Sequence, residues 1–246
     1  MIKRLPCGFL LFCTLYFSSG VSASTVVAAI GDYPPYTSTE DSQARFAEEL
    51  VIASYRAVGY QVTLKRVPWK RAFEEVKVGK VDITFPWIKT PSRENDFLFS
   101  EALLTTQEIF LYHKDSHFSW SKLDDLKRFK VGATLGYAHV ELMMSQGITP
   151  NVGKTDAFNI ERLYKKRIDA FPIGEKVGEY LLSKSPNEVR EAITAHSKPL
   201  FKNLNYIMAS KVTSQRSKTL LEKFNQGFEA IKQDGTFDKI VEKYGF

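Results

Sequence analysis

Two spacings of apolar residues alternate along this chain of 246 residues. Residues 25–30 are β-branched or apolar and run into Gly31-Asp32, a pattern that predicts a buried strand closed by a turn at Tyr33-Pro34-Pro35-Tyr36. Phe46, Leu50, Ala53, Tyr55 and Ala57 then recur at mostly helical intervals, predicting a helix over 45–58 with Gly59 as its C-cap. Val62, Leu64 and Val67 predict a strand over 61–67. Pro68, whose missing N–H is harmless in a first helical turn, starts a helix that carries Trp69, Ala72, Phe73 and Val76 and ends near Gly79. Residues 81–85 form the next strand, which breaks at Pro86 and leaves Trp87, Thr90 and Arg93 exposed in a polar loop.

Further strands are predicted over 108–113, 130–135, at Val152, over 168–173 and over 204–209. Between them fall a helical turn over 123–126 and helices over 137–145, 155–166 and 174–183. Near the C-terminus, Leu220, Leu221, Phe224, Phe228 and Ile231 mark a long amphipathic helix, and Phe237, Ile240, Val241 and Tyr244 a shorter one. Strands alternating with helices argue for an α/β sheet with crossover connections. A second alternation, about 114–202, sits inside the first with no low-complexity linker between them, which fits two lobes joined by strands that cross twice.

The first residues change the compartment. Lys3 and Arg4 precede an apolar run over 9–17 and the small residues Ser18-Ser19-Gly20-Val21-Ser22-Ala23, the order of a secretory signal peptide cleaved after Ala23. The run is short for a permanent bilayer anchor. Cys7 and Cys13 both lie inside this segment, preceded by Pro6 and Phe12 rather than by the small residues of a lipoprotein site, so the mature chain has no disulfide or thiolate chemistry. The expected location is the periplasm. Loss of Lys3 and Arg4 lowers the formal net charge of +6 to +4, spread along the chain rather than gathered in a basic stripe, which argues against nucleic acid as a partner.

Arg93 is the leading candidate for chemistry, because a guanidinium offers a rigid fork of donors that matches a carboxylate two bonds at a time. Its alternative is a surface pair with Glu94, Asp96 or Glu101. Trp69 and Phe73 stand four apart on one helix face, as core residues would; Trp69 is nonetheless kept as a ligand-binding candidate, and Arg71 on the same helix reaches either the cleft or solvent. His113 and His117 fall on a strand and loop, no cysteine or acidic cluster accompanies them, and no metal site, cofactor or catalytic residue is assigned. His139, near a helix start, is expected at the surface.

Gly79-Lys80-Val81-Asp82, Thr90-Pro91-Ser92-Arg93 and Phe99-Ser100 together resemble the bacterial extracellular solute-binding proteins of the amino-acid type, family 3. Leu123 with Leu126, Lys130-Val131-Gly132, Arg167-Ile168-Asp169-Ala170, Phe224-Asn225, Asp234-Gly235-Thr236, Ile240 and Lys243-Tyr244 extend the resemblance over nearly the whole mature chain. It implies an α/β fold of the two-lobe periplasmic-binding-protein-like kind (type II), each lobe a mixed sheet flanked by helices, joined by a two-strand hinge. Residues 1–23 are then the signal peptide, 24–113 and 203–246 the first lobe, and 114–202 the second. It implies a monomer that captures a small carboxylate-bearing or amino-acid-like solute and delivers it to an ABC permease in the inner membrane.

The resemblance places Arg93 on the ligand carboxylate beside Thr90. Tyr33 and Trp87 become aromatic walls, Tyr137 joins them from the second lobe, and Tyr36 falls either in the core or at the rim. The chain departs from the family pattern at Pro86-Trp87-Ile88-Lys89, at Arg45 where a glycine is usual, and at Gly136-Tyr137-Ala138 where Gly-Thr-Thr is usual. Gly174 stands at the usual acidic position unless Glu175 replaces it by a slip of one. Two other uses of the fold remain open. One is a cleft-acting dehydratase of the cyclohexadienyl type, with Glu175 as its acid; the other is a receptor for a membrane signalling protein.

Overall fold

The computed structural model describes residues 24–38 and 45–246. The signal-peptide segment and both cysteines lie outside the described residues. No helix among those described is long and apolar enough to cross a membrane.

The first lobe is built on β1 (Ser24–Ile30), α1 (Phe46–Ala57), β2 (Tyr60–Arg66), α2 (Trp69–Lys77) and β3 (Ile83–Ile88). β1 pairs in parallel with both β2 and β3, and the connecting helices cover the sheet. Ala28, Ala29 and Ile30 are all fully buried, as expected of a strand covered on both faces. Asp82, from the Gly79-Lys80-Val81-Asp82 motif, is a structural clamp. It accepts the backbone N–H of Val27 (2.9 Å) and two bonds from the Arg216 guanidinium (2.6 and 2.9 Å), tying β1 to the long helix Ser214–Gln233.

After α3 (Pro91–Asp96) and β4 (Phe97–Phe99), the long strand β5 (Leu104–His113) leaves the first lobe. The second lobe holds a 3₁₀ turn (Leu123–Arg128), β6 (Gly132–Thr134), α4 (Ala138–Ser145), β7 (Asn151–Gly153), α5 (Asp156–Tyr164), β8 (Ala170–Gly174) and α6 (Glu175–Lys184). A short helix α7 (Asn187–Ala192) and strand β9 (Ile193–Ala195) follow, neither of which the periodicity predicts. Both are too short to show a period, and β9 exists because Leu111, Tyr112 and His113 of β5 offer it an edge. β10 (Phe201–Ser210) returns to the first lobe, where α8 (Ser214–Gln233) and α9 (Thr236–Tyr244) close the chain.

β10 runs antiparallel to both β3 and β5, giving the strand order β2-β1-β3-β10-β5-β8, with β6 and β7 as a separate parallel pair. β5 divides its pairing. Leu104 to Glu108 face β10, whereas Glu108 to Tyr112 face β8, so β5 and β10 are the strands shared by the two lobes.

The expected break at Pro86 is corrected. β3 runs through Pro86 to Ile88, and Trp87 and Arg93 are only 7% and 3% exposed. Thr84 pairs with Met208 and Trp87 with Tyr206, which leaves Phe85 and Pro86 opposite the single residue Ile207. That bulge is where a residue without an N–H costs the sheet no bond. Ile207 meanwhile exchanges bonds with Ser100 (3.0 and 3.1 Å). Trp87 is buried because it joins Ala72, Val76, Phe97 and Met208 beneath α2.

α1 and α8 pack closely at Gly227, where a Cβ would stand 1.8 Å from the Ser54 carbonyl oxygen. Gly227→Ala should therefore force the helices apart and cost about 1–3 kcal/mol or more, read as a lowered urea midpoint. An unchanged midpoint would mean that the two helices are not in this contact.

Candidate functional site

Arg93 is delivered by a short chain of local causes. Thr90 is the N-cap of α3 and accepts the Arg93 N–H on its hydroxyl (3.4 Å), with Pro91 in the first turn. The Arg93 side chain then turns back under the end of β3. Its Nη1 donates to the Ile88 carbonyl (2.5 Å), its Nη2 crosses to the Gly136 carbonyl of the second lobe (3.0 Å), and its guanidinium lies 4.8 Å from the Trp87 ring centre. Nε is buried with no hydrogen-bond partner among the described residues. Burial lowers the guanidinium to about 10 despite the nearby Glu141 carboxylate. Ser92 makes a second bond across the cleft, donating to Glu141 Oε2 (2.7 Å).

Aromatic rings wall the space around this cation. Trp69 donates Nε1–H to the Asp32 carbonyl (2.8 Å) and meets Trp87 edge-on at 5.3 Å and Tyr33 at 6.4 Å. Tyr33 meets Tyr137 of the second lobe edge-on at 6.0 Å. Gly174 is where the second lobe admits Tyr33: a Cβ there would stand 2.6 Å from the tyrosine hydroxyl. The space is a partly open cleft with room of about 50 Å³, lined by these rings with Pro86, Ile88, Arg93, Glu108, Gly136, Ala138 and Asn205.

The second lobe contributes a buried polar network. His139 is fully buried; its Nδ1 bonds to Glu108 and its Nε2 accepts the Thr134 N–H (3.0 Å). Asp156 accepts from the Thr134 hydroxyl (2.5 Å) and the Tyr137 hydroxyl (3.0 Å), and Asn159 donates to the Thr134 hydroxyl (3.0 Å). Burial raises the Asp156 carboxyl above its ordinary range, although the bonds from Thr134 and Tyr137 pull it down. Burial likewise pushes the Tyr33 and Tyr137 hydroxyls well above the usual phenol value, so both stay protonated at neutral pH.

Of the residues singled out from sequence, Arg93, Tyr33, Trp87, Trp69 and Tyr137 meet in this one cavity. The others stand elsewhere. Thr90 is occupied as a helix cap. Tyr36 is core, 3% exposed and packed on Tyr33 and Phe246. Arg71 points to solvent and pairs with Glu75 one turn on (3.0 Å). Glu175 begins α6 outside the cavity lining and accepts a bond from Gln107 (3.4 Å). The surface pairs weighed for Arg93 do not form: Glu94 pairs with Lys89 and Asp96 with Lys77. Glu108, Asn205, Asp156 and His139 were not foreseen. A single acid opening the apolar run Ile109-Phe110-Leu111 was the only sequence sign of Glu108.

A family model described as bacterial extracellular solute-binding proteins, family 3, matches residues 25–246, and the chain belongs to that family. It is 24% identical over 228 residues to a probable histidine-binding protein of Neisseria gonorrhoeae, covering 89% of this chain and 81% of that protein. A putative ABC transporter arginine-binding protein 2 of Escherichia coli (strain K12) is 23% identical over 250 residues, covering 99% and 97%. A crystal structure of a histidine kinase sensor domain with similarity to periplasmic binding proteins superposes with a TM-score of 0.79 at 19% identity, over 89% of this chain and 95% of that one. The fold is thus that of the two-lobe binding proteins.

The raised Asp156 carboxyl makes a signed prediction. A group whose folded-state value is raised stabilises the fold fully below its unfolded value, and that contribution is lost as pH rises through the folded value. Relative to Asp156→Asn, which cannot titrate, the wild type should lose stability as pH rises from roughly 3 towards 7. Urea unfolding across that range checks it; parallel curves would show that Asp156 titrates as an ordinary carboxylate.

Proposed function

We propose that this chain is a periplasmic receptor that captures a small carboxylate-bearing solute, amino-acid-like or a related organic acid, between its lobes and delivers it to an ABC permease. The observation that carries the reading is Arg93, a buried guanidinium whose Nε has no partner among the described residues and which borders the cavity between the lobes. A carboxylate arriving there gains a charge-assisted bond, and exclusion of water strengthens it. Tyr33, Trp69, Trp87 and Tyr137 supply apolar walls with few rotors to order. In this reading residues 24–113 and 203–246 move as one lobe and 114–202 as the other, with β5 and β10 flexing between them.

The names of the two curated relatives support an amino-acid class of ligand, and that of the second supports ABC transport. No change to the ligand is part of the proposal. Glu175, the acid considered for a dehydratase, stands outside the cavity lining. The likeness to a kinase sensor domain supports a second use of the same cleft, in which the liganded form reports to a membrane partner.

Thermal-shift screening against amino acids, dicarboxylates, small peptides and aromatic acids tests the reading. A ligand at 100 times its dissociation constant should add about 2.7 kcal/mol of stability. Arg93→Ala should cost the best hit about 2–5 kcal/mol of binding. Equal affinity for wild type and Arg93→Ala overturns the carboxylate reading.

A further inference from the structure

The rings of Trp69, Tyr33 and Tyr137, in edge-on contact, part the space between the lobes in two. On the Arg93 side there is room of about 50 Å³. On the other side a partly open groove has room of about 1120 Å³ and shares only Trp69 and Tyr137 with the first. Arg93 does not line it. One wall of this outer groove comes from residues between 32 and 70 of the first lobe, the other from residues between 134 and 184 of the second. A solute of any length has its room here rather than beside Arg93.

The groove is lined by cations from both lobes. Lys70 comes from the first, Lys154 and Lys184 from the second, and none of the three forms an ion pair among the described residues; Lys184 lies 5.7 Å from the Tyr180 ring centre. Arg66 lines the groove too, but its charge is matched by a two-bond pair with Glu48 (3.0 Å each). Two acids stand against the lysines. Asp156 is buried, its oxygens taken by the hydroxyls of Thr134 and Tyr137, and Asp32 is exposed to water. Like charges on opposed walls repel, and a cleft lined by one sign of charge concentrates ions of the other. Between the lysines the lining is apolar, with Pro68 and the Trp69 ring on one wall and Val177 and Leu181 on the other. An aromatic face with few rotors suits a flat apolar body.

We propose that the outer groove is a second ligand site, separate from Arg93, for a polycarboxylate with a flat apolar body, whose anionic groups bridge Lys70 on one lobe and Lys154 and Lys184 on the other. The body lies against Trp69 and Leu181. The carboxylates remove the repulsion between the walls, so binding draws the lobes together. No ammonium group on the ligand has a part in this site. The inner reading of Arg93 stands or falls apart from it.

Isothermal titration of the full mature chain with benzene-1,3,5-tricarboxylate, benzoate and citrate tests the site. The tricarboxylate should bind roughly 10-fold or more tightly than benzoate, which has one charge, and than citrate, which has no ring. Raising salt from about 50 to about 500 mM should erode that lead. Lys70→Gln and Lys154→Gln change exposed side chains on opposite lobes, and each should weaken the tricarboxylate roughly 5-fold with the melting temperature unchanged. Arg93→Ala should leave its affinity within roughly 2-fold, as for a site elsewhere. No binding of the tricarboxylate, equal affinity for all three probes, or binding lost in Arg93→Ala overturns the proposal. So does a loss produced by the lysine of one lobe alone, because nothing is then bridged. The lysine comparison decides by itself if Arg93→Ala does not fold. Binding of benzoate or an amino acid that Arg93→Ala abolishes, with the tricarboxylate ignored, would sink the outer site and leave the inner reading intact.

Discussion

The cleft is organised around a guanidinium taken out of water. A buried cation is tolerated only when its donors are met and its charge has somewhere to go. Arg93 meets part of that demand with two backbone carbonyls, one from each lobe, and with the face of Trp87, and leaves Nε unpaired among the described residues. Much of the surrounding structure is in place to make this arrangement possible. The bulge opposite Ile207 carries β3 through Pro86 and turns Trp87 inward; Thr90 caps the short helix that presents Arg93; Gly136 offers its carbonyl at the start of α4. Because one of its bonds crosses the cleft, the same side chain both borders the cavity and links the lobes.

The second lobe answers with a network of donors and acceptors that reaches Glu108 on β5. Glu108, His139, Thr134, Asp156 and Tyr137 form a connected buried network in which each bond orients the next. Such a network is stabilising only when its members are satisfied, and it then holds one geometry. Here it fixes Tyr137 against Tyr33 and sets Glu108 at the junction of the two sheet segments. The cavity therefore lies between a cationic wall on one lobe and an anionic one at the hinge.

Several features of this arrangement were legible along the chain. Gly79-Lys80-Val81-Asp82 was legible as part of a family motif, and the structure supplies the reason for its carboxylate, which clamps β1 to α8. Thr90 and Arg93 were legible as a pair, although the structure divides them into a cap and a cation. The absence of an acid at position 174 was visible too, but its reason was not: the Tyr33 hydroxyl comes to within 2.6 Å of where a Cβ would stand. His139, expected at the surface, is fully buried on α4, because its partners Glu108 and Thr134 lie on two strands beneath it.

The division follows from the range of the forces. Alternating and helical spacings, turn residues and the order of short motifs act within a few neighbours, so the strand–helix alternation, the lobes and the prominence of Arg93 could be read from sequence alone. Contacts between residues far apart in the chain set the rest. The burial of Trp87 depends on β10, the separation of Thr90 from the cavity on how α3 folds back, and the meeting of Glu108 with Gly174 on the register of β5 against β8. A register shift of one residue would turn Glu108 to the opposite face of the sheet. Only the packed sheet sets that register.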